Sequence, residues 1–133
     1  MPKLTAKQLT AIADDFTNIA AEISNYIIYH QLSIKGRLGK IHFAILEEAE
    51  KLYTLSAIQV GDETEAALQE LNDITTSILE SYQHLKDIKQ AMSLAVAALD
   101  VVTAITTGKL NAIVDTVRAL GKEAGLSKEE EEE

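Results

Sequence analysis

Residues 5–33 read TAKQLTAIADDFTNIAAEISNYIIYHQLS, and this stretch decides the fold class. Its hydrophobic seam recurs at steps of three and four residues, which is the spacing of one face of an α-helix. The seam consists of Leu9, Ile12, Phe16, Ile19, Ile23, Tyr26 and His30, and the acidic and amide residues fall on the other side. The pattern predicts an amphipathic helix from about Thr5 to Ser33.

The residues at the start of this stretch form a recognisable helix start signal. Thr5 and Gln8 have the spacing of a capping box, in which the hydroxyl accepts the Gln8 amide and the Gln8 side chain reaches back. Leu4 and Leu9 stand at the two positions of a hydrophobic staple. The sequence therefore predicts where the first helix begins.

Glycines then divide the chain. Gly36 and Gly39 interrupt the pattern, and the apolar stripe resumes one residue out of phase, which predicts a turn or a sharp kink. The second helix is predicted to run to about Gln59, because Gly61 follows and Asp62 with Glu65 forms a new capping signal.

The segment from Asp62 to Thr107 contains no Gly or Pro. As one helix it would be about 69 Å long, whereas a compact domain of this size has a radius of gyration of about 14 Å. Two interpretations stay open: a break near Asp87–Ala91, or an elongated fold. Gly108 is a plausible stop, and a last helix beginning at about Leu110 is predicted to end before Gly125.

These elements predict an all-α fold, an antiparallel up-and-down bundle of four to five helices, elongated if the third helix is continuous. We expect one helical domain over residues 1–126 and an acidic tail over residues 127–133. No alternation of period two persists anywhere in the sequence, so no sheet is expected.

Composition excludes several classes of function. The 133 residues carry 12 Lys and Arg against 21 Asp and Glu, a net charge of −9, which opposes binding to nucleic acid or to anionic membranes. There is no Cys, so thiol catalysis and Cys-based zinc sites are excluded. No cofactor or metal is expected. The N-terminal residues lack the apolar core of a signal peptide, so we expect a cytoplasmic protein.

The first candidate site is the basic cluster Lys35, Arg37 and Lys40. Three of the 12 bases lie within six residues beside flexible backbone, which suits an acidic partner or a phosphate-bearing ligand. The alternative is a solvated turn whose cations stabilise the C-terminus of the first helix.

The second candidate is His30, in the run His30-Gln31-Leu32-Ser33-Ile34-Lys35-Gly36. This run resembles the H-x-L-K-G pattern of histidine phosphotransfer domains with two residues inserted. The resemblance implies an acidic helical bundle in which His30 accepts a phosphoryl group. A lysine one turn beyond the histidine would share its face, whereas the offset of five residues rotates Lys35 by about 140° from His30. A hydrogen-bonded histidine in the seam is the other interpretation.

The third candidate is a metal site. Glu80, His84 and Asp87 share one face of the third helical segment, and His42 or His30 could complete a set of ligands. Ordinary surface pairing between helical neighbours is the simpler interpretation.

The fourth candidate is the apolar stretch Met92–Ile105. It predicts a central core helix or a self-association seam, with Leu94, Val101 and Ile105 as seam contacts. Insertion into a membrane is an alternative, but Asp100 and the lack of basic flanks weigh against it.

Together these features predict a non-enzymatic protein that acts through helix–helix contacts with a protein partner or with itself, or as a structural module. A homo-oligomer is expected. Histidine phosphotransfer through His30 and membrane insertion of Met92–Ile105 are the alternative functions.

Overall fold

The computed structural model describes residues 3–55, 58–59, 61–85 and 87–132. Six helices occupy this part of the chain. They are α1 (Ala6–Tyr29), α2 (Arg37–Tyr53), α3 (Asp62–Gln69), α4 (Leu71–His84), α5 (Ile88–Thr106) and α6 (Leu110–Glu132). Two short strands, β1 (Lys3–Leu4) and β2 (Ile58–Gln59), pair in an antiparallel register.

Only Glu70 separates α3 from α4, and its backbone stays helical at φ −76° and ψ −15°. The two helices are therefore parts of one interrupted segment, and the molecule is a bundle of five helical segments. This confirms the predicted all-α bundle of four to five helices.

Consecutive segments alternate in direction, as expected for an up-and-down bundle, but their order in space differs from their order in sequence. α1 packs against α2 and α4, while α5 packs against α2 and α6, and α6 returns to α3 and α4. Three neighbouring pairs therefore run parallel, namely α1 with α4, α2 with α5, and the α3–α4 segment with α6. Tyr26 of α1 meets Tyr82 of α4 near the C-terminal ends of both helices, and α2 and α5 begin beside each other at Arg37 and Ile88.

The core lies between these helices and uses the seam of α1 that the sequence predicts. Phe16, Ile19 and Ile23 are completely buried, together with Ile45 and Leu52 of α2. The start of α1 is also confirmed. The Thr5 N–H donates to the Gln8 side chain at 2.8 Å and the Gln8 N–H donates to the Thr5 hydroxyl at 3.1 Å.

Several predicted helix ends are wrong. α1 ends at Tyr29 rather than Ser33, because Gln31 adopts a left-handed backbone with φ 56° and the Leu32 N–H turns back to the Ile27 carbonyl. α2 ends at Tyr53 rather than Gln59, because the Thr54 hydroxyl caps the Lys51 carbonyl.

The start of the third segment differs too. The N-cap of α3 is Gly61, and no side chain caps it, so the predicted capping role of Asp62 is wrong. At the other end of the chain, α6 continues past Gly125 to Glu132. A glycine costs a helix only about 1 kcal/mol and does not by itself end one.

The single long helix is also excluded. Leu85 leaves the helical region with φ −65° and ψ 131°, and Asp87 starts α5 by accepting the Lys89 N–H at 2.9 Å. The break falls at the edge of the region where the sequence allowed one, and it lets α5 fold back into the bundle.

Candidate functional site

One end of the bundle carries an open groove of about 860 Å³. The turn between α1 and α2 forms one side of it. The start of α2, the part of α5 from Ile88 to Asp100, and the middle of α6 at Ala119 and Glu123 form the rest. Its lining residues include Leu32, Leu38, Ile88, Met92, Val96, Ala97 and Ala119 as the apolar set, and Arg37, Lys89, Asp100 and Glu123 as the charged set.

Two apolar side chains of the groove are unusually accessible to solvent. Ile88 is 46% exposed and Val96 is 42% exposed, and they lie two turns apart on the same side of α5 with Met92 between them. Their spacing of four residues is that of a continuous helix face. The groove therefore presents an apolar strip that the bundle itself leaves uncovered.

The predicted basic cluster lies at this end of the molecule, and all three of its side chains are exposed. Arg37 lines the groove, whereas Lys35 and Lys40 lie in the adjoining turn and in the first turn of α2 and do not line it. Lys89 on α5 also lines the groove, although it lies outside the basic cluster predicted from the sequence.

The placement of these cations is not explained by helix stability. Arg37 and Lys40 lie in the first turn of α2, where the helix dipole is positive and a cation is unfavourable by about 0.3–1 kcal/mol. α1 has no basic residue in its last turn, so the capping alternative for the cluster is wrong for these two residues. Within the described residues, no ion pair involves the cluster.

A clamp joins α2 and α5 at the end opposite the groove. The Thr106 hydroxyl of α5 donates to the Glu48 carboxylate of α2, and Lys51 pairs with the same carboxylate at 2.9 Å. Burial acts to raise the pKa of Glu48, but the hydrogen bonds from Thr106 and Lys51 outweigh it and lower the pKa. The clamp fixes the two helices that border the groove.

The predicted seam residues lie elsewhere. Leu94 and Val101 are 0% exposed and Ile105 is 1% exposed, so all three belong to the core of a single chain. Two copies could not use them without opening the bundle, and this interpretation is corrected. The accessible apolar face of α5 is instead Ile88 and Val96. A helix that is apolar on both sides does not reveal from sequence which side faces the core.

Among the described residues, one helix, Ile88–Thr106, has the length and hydropathy of a membrane span, and half of that stretch is buried in the bundle. A core helix of a bundle has the same two properties. Here Leu94, Val101 and Ile105 are committed to packing, so no feature of the fold favours insertion.

A second, smaller pocket of about 440 Å³ lies where α1 and α4 end. His30 is half-buried there, with its ring centroid 4.2 Å from that of Tyr26 and 5.1 Å from that of Tyr29. Among the described residues that line the pocket there is no Lys or Arg, and Glu22 is one of them. These described surroundings do not favour a phosphoryl group on His30, because none of them supplies a cation to neutralise it.

The described part of the chain contains no group of three His, Asp or Glu side chains that could share a metal ion. Glu80, His84 and Asp87 therefore do not form the site that their spacing allowed. His42 is buried in the bundle against Phe43. Burial lowers the pKa of His42, opposed by a hydrogen bond with the Gly39 backbone.

Comparison of the chain with models of protein families, with curated proteins and with solved structures found no match. The function is therefore argued from the groove and its charges alone.

Proposed function

We propose that this protein is a non-enzymatic binding module whose groove receives an acidic amphipathic helix of a protein partner. The observation that carries the proposal is the uncovered apolar strip of Ile88, Met92 and Val96 with Arg37 and Lys89 beside it. An amphipathic helix binds such a groove through apolar residues spaced at three, four and seven positions.

The shape of the groove supports a helix as the occupant. It is open along its length, and three helices and a turn border it, so an inserted helix would add a further packed neighbour to α5. The partly exposed strip would then be buried in the way that the opposite side of α5 already is. Each apolar side chain moved from water into such a contact contributes about 1.5–3 kcal/mol when completely buried.

The charges support an acidic partner. Arg37 and Lys89 are exposed lining residues, and Lys35 and Lys40 extend the positive surface beyond the groove. Asp100 and Glu123 also line the groove, so the acidic residues of the partner should lie toward Arg37 and Lys89. This polarity favours one orientation of the bound helix over the reverse.

The test uses two fluorescein-labelled helical peptides with identical leucine positions, one with glutamates and the other with lysines on its polar face. We expect the acidic peptide to bind with a micromolar Kd that weakens as salt is added, and the basic peptide to bind at least tenfold more weakly. Fluorescence anisotropy measures both affinities. Equal binding of the two peptides, or no binding of either, would contradict the proposal.

Two pairs of variants locate the binding surface. Val96→Asp should abolish binding of the acidic peptide, whereas Phe43→Asp, on an exposed apolar residue of α2 that does not line the groove, should preserve it. Arg37→Glu should weaken binding about tenfold. Lys109→Glu, at an exposed residue directly before α6 that does not line the groove, should not weaken it. If the groove variant and its control both lost binding, the peptide would bind at a site other than the groove.

Size-exclusion chromatography with light scattering of the protein alone separates a foreign partner from a second copy of the chain. A dimer that Val96→Asp converts to a monomer would make the chain its own partner and would replace the proposed foreign helix.

A further inference from the structure

The pocket where α1 and α4 end has a composition unlike that of the groove. Aromatic rings form most of its wall, namely those of Tyr26, Tyr29, His30, Tyr82 and His84, and Glu22, Asn25, Gln83 and Leu85 complete it. Its volume of about 440 Å³ is large enough for a small organic molecule. Neither the helix–helix contacts nor the basic cluster accounts for it.

The rings of this pocket contact one another at different angles. Tyr26 and Tyr82 are edge to face, with centroids 5.7 Å apart and planes at 70°, and Tyr29 and His30 meet at 75°. Tyr26 and His30 are closer to parallel, with planes at 38° and centroids 4.2 Å apart. The aromatic surface that a ligand can reach belongs to the exposed Tyr29 and the half-buried His30, and aromatic faces attract a positive charge.

Two of the tyrosine rings are fixed in place by the core, and the third is exposed to solvent. Tyr26 and Tyr82 are each only 4% exposed, and the Tyr82 hydroxyl donates to the Ala91 carbonyl at 2.7 Å. Tyr29 is 83% exposed, so its ring can move over a ligand without disturbing the core. The apolar ring of an exposed tyrosine is in contact with water, and a ligand that covered the ring would remove that unfavourable contact.

The electrostatic surroundings favour a cation. α1 and α4 run parallel and both end at this pocket, at His30 and Leu85, so the negative ends of two helix dipoles meet there. Glu22 adds a carboxylate to the wall. Burial raises the pKa of Tyr26, and the charge of Asp87 raises it further, which places a second carboxylate within electrostatic reach.

We propose that this pocket binds a trimethylammonium group. A quaternary ammonium has no N–H donors, so it does not need the ring of acceptors that a primary ammonium requires. It binds instead to aromatic faces beside a negative charge, and the described lining of this pocket supplies both through Tyr29, His30 and Glu22.

A titration with choline tests the proposal. Two-dimensional amide NMR of the uniformly ¹⁵N-labelled full chain at pH 8 monitors the titration. We expect choline to shift the resonances of Tyr29, His30 and His84 with a millimolar Kd. Its neutral carbon isostere, 3,3-dimethyl-1-butanol, should bind at least about tenfold more weakly, because it has the shape without the charge. Equal affinity for the two compounds, or no shift at about 50 mM choline, would overturn the proposal.

Substitutions test whether choline binds directly to the aromatic rings of the pocket. Tyr29→Ala should weaken choline binding about fivefold to tenfold, whereas Tyr29→Phe, which keeps the ring, should retain it. Glu22→Gln should weaken binding several-fold. Tyr53→Ala removes a tyrosine from α2, outside the pocket, and should leave the affinity unchanged. Undiminished affinity in Tyr29→Ala would overturn the assignment.

A third ligand distinguishes the two possible sources of the trimethylammonium group, a small molecule and a methylated protein. A peptide carrying trimethyllysine that binds more tightly than choline, with its unmodified form not binding, would indicate a methylated protein. Choline binding at least as tightly as that peptide would indicate a small molecule. Both results retain the trimethylammonium group as the ligand.

Discussion

At the scale of single residues, Gly39 is the glycine at which an added Cβ atom would come closest to other atoms. A Cβ atom added there would lie 1.7 Å from the carbonyl oxygen of Ile34, which belongs to the turn between α1 and α2. Neither that backbone nor the first turn of α2 can move without displacing the other. The sequence pointed to this glycine as a chain interruption, but its role is to let two backbone segments touch.

We therefore expect Gly39→Ala to lower the free energy of unfolding by about 2–4 kcal/mol, because the clash is with backbone rather than with a flexible side chain. Gly125→Ala is the matched control, since a Cβ there meets nothing within 4 Å inside α6. It should leave stability unchanged or raise it by up to about 1 kcal/mol. Urea denaturation followed by circular dichroism measures both, and a Gly39→Ala protein of normal stability would contradict the close packing.

Two helix ends show when the residue type predicts the end of a helix and when it does not. Gly108 adopts φ 71° after α5, and the Lys109 N–H bonds the Ala104 carbonyl, which is the stop that the glycine predicts. Gln31 makes the same turn after α1 with φ 56°. No propensity marks Gln31 for that conformation, so this helix end could not be predicted.

At the scale of elements, the break between α4 and α5 determines how the chain folds back. Asp87 caps α5 through its carboxylate, and Tyr82 of α4 donates to the Ala91 carbonyl of α5 across the break. No Gly or Pro marks this position. The only local signal is an N-cap residue directly before the apolar run of α5.

Removing that cap should destabilise the protein. We expect Asp87→Ala to lower the free energy of unfolding by about 1 kcal/mol, because the Lys89 N–H loses its acceptor. Asp87→Asn keeps an acceptor oxygen, so it should lower the free energy of unfolding by only a few tenths of the loss expected for Asp87→Ala. Thermal denaturation of the two variants side by side tests the cap, and equal loss in both would assign the effect to charge instead.

At the scale of the whole molecule, the two proposed sites lie at the same end of the bundle. The groove begins at Leu32 and the aromatic pocket ends at His30, so Gln31 separates them along the chain. The same end gathers the exposed cations Lys35, Arg37 and Lys89, although the chain as a whole is acidic. Net charge therefore does not describe the surface that a partner meets.

Small-angle X-ray scattering of the monomeric fraction should give a radius of gyration of about 14 Å, the value for a compact domain of this length. The expectation rests on the break between α4 and α5, which divides the segment of residues 62–107 into the α3–α4 segment and α5. A particle with a maximum dimension well beyond 69 Å, the length of that segment as one helix at about 1.5 Å per residue, would show a continuous rod.

The sequence by itself determined the fold class, the start of α1 and the stop at Gly108. Each depends on spacing or capping within a few neighbouring residues. Tertiary structure alone decided that Leu94 packs inside while Val96 faces solvent, since both sides of α5 are apolar and only its neighbours choose between them. It also decided that Tyr26 and Tyr82 share a pocket, because contacts between distant segments follow from how helices pack and not from their local periodicity.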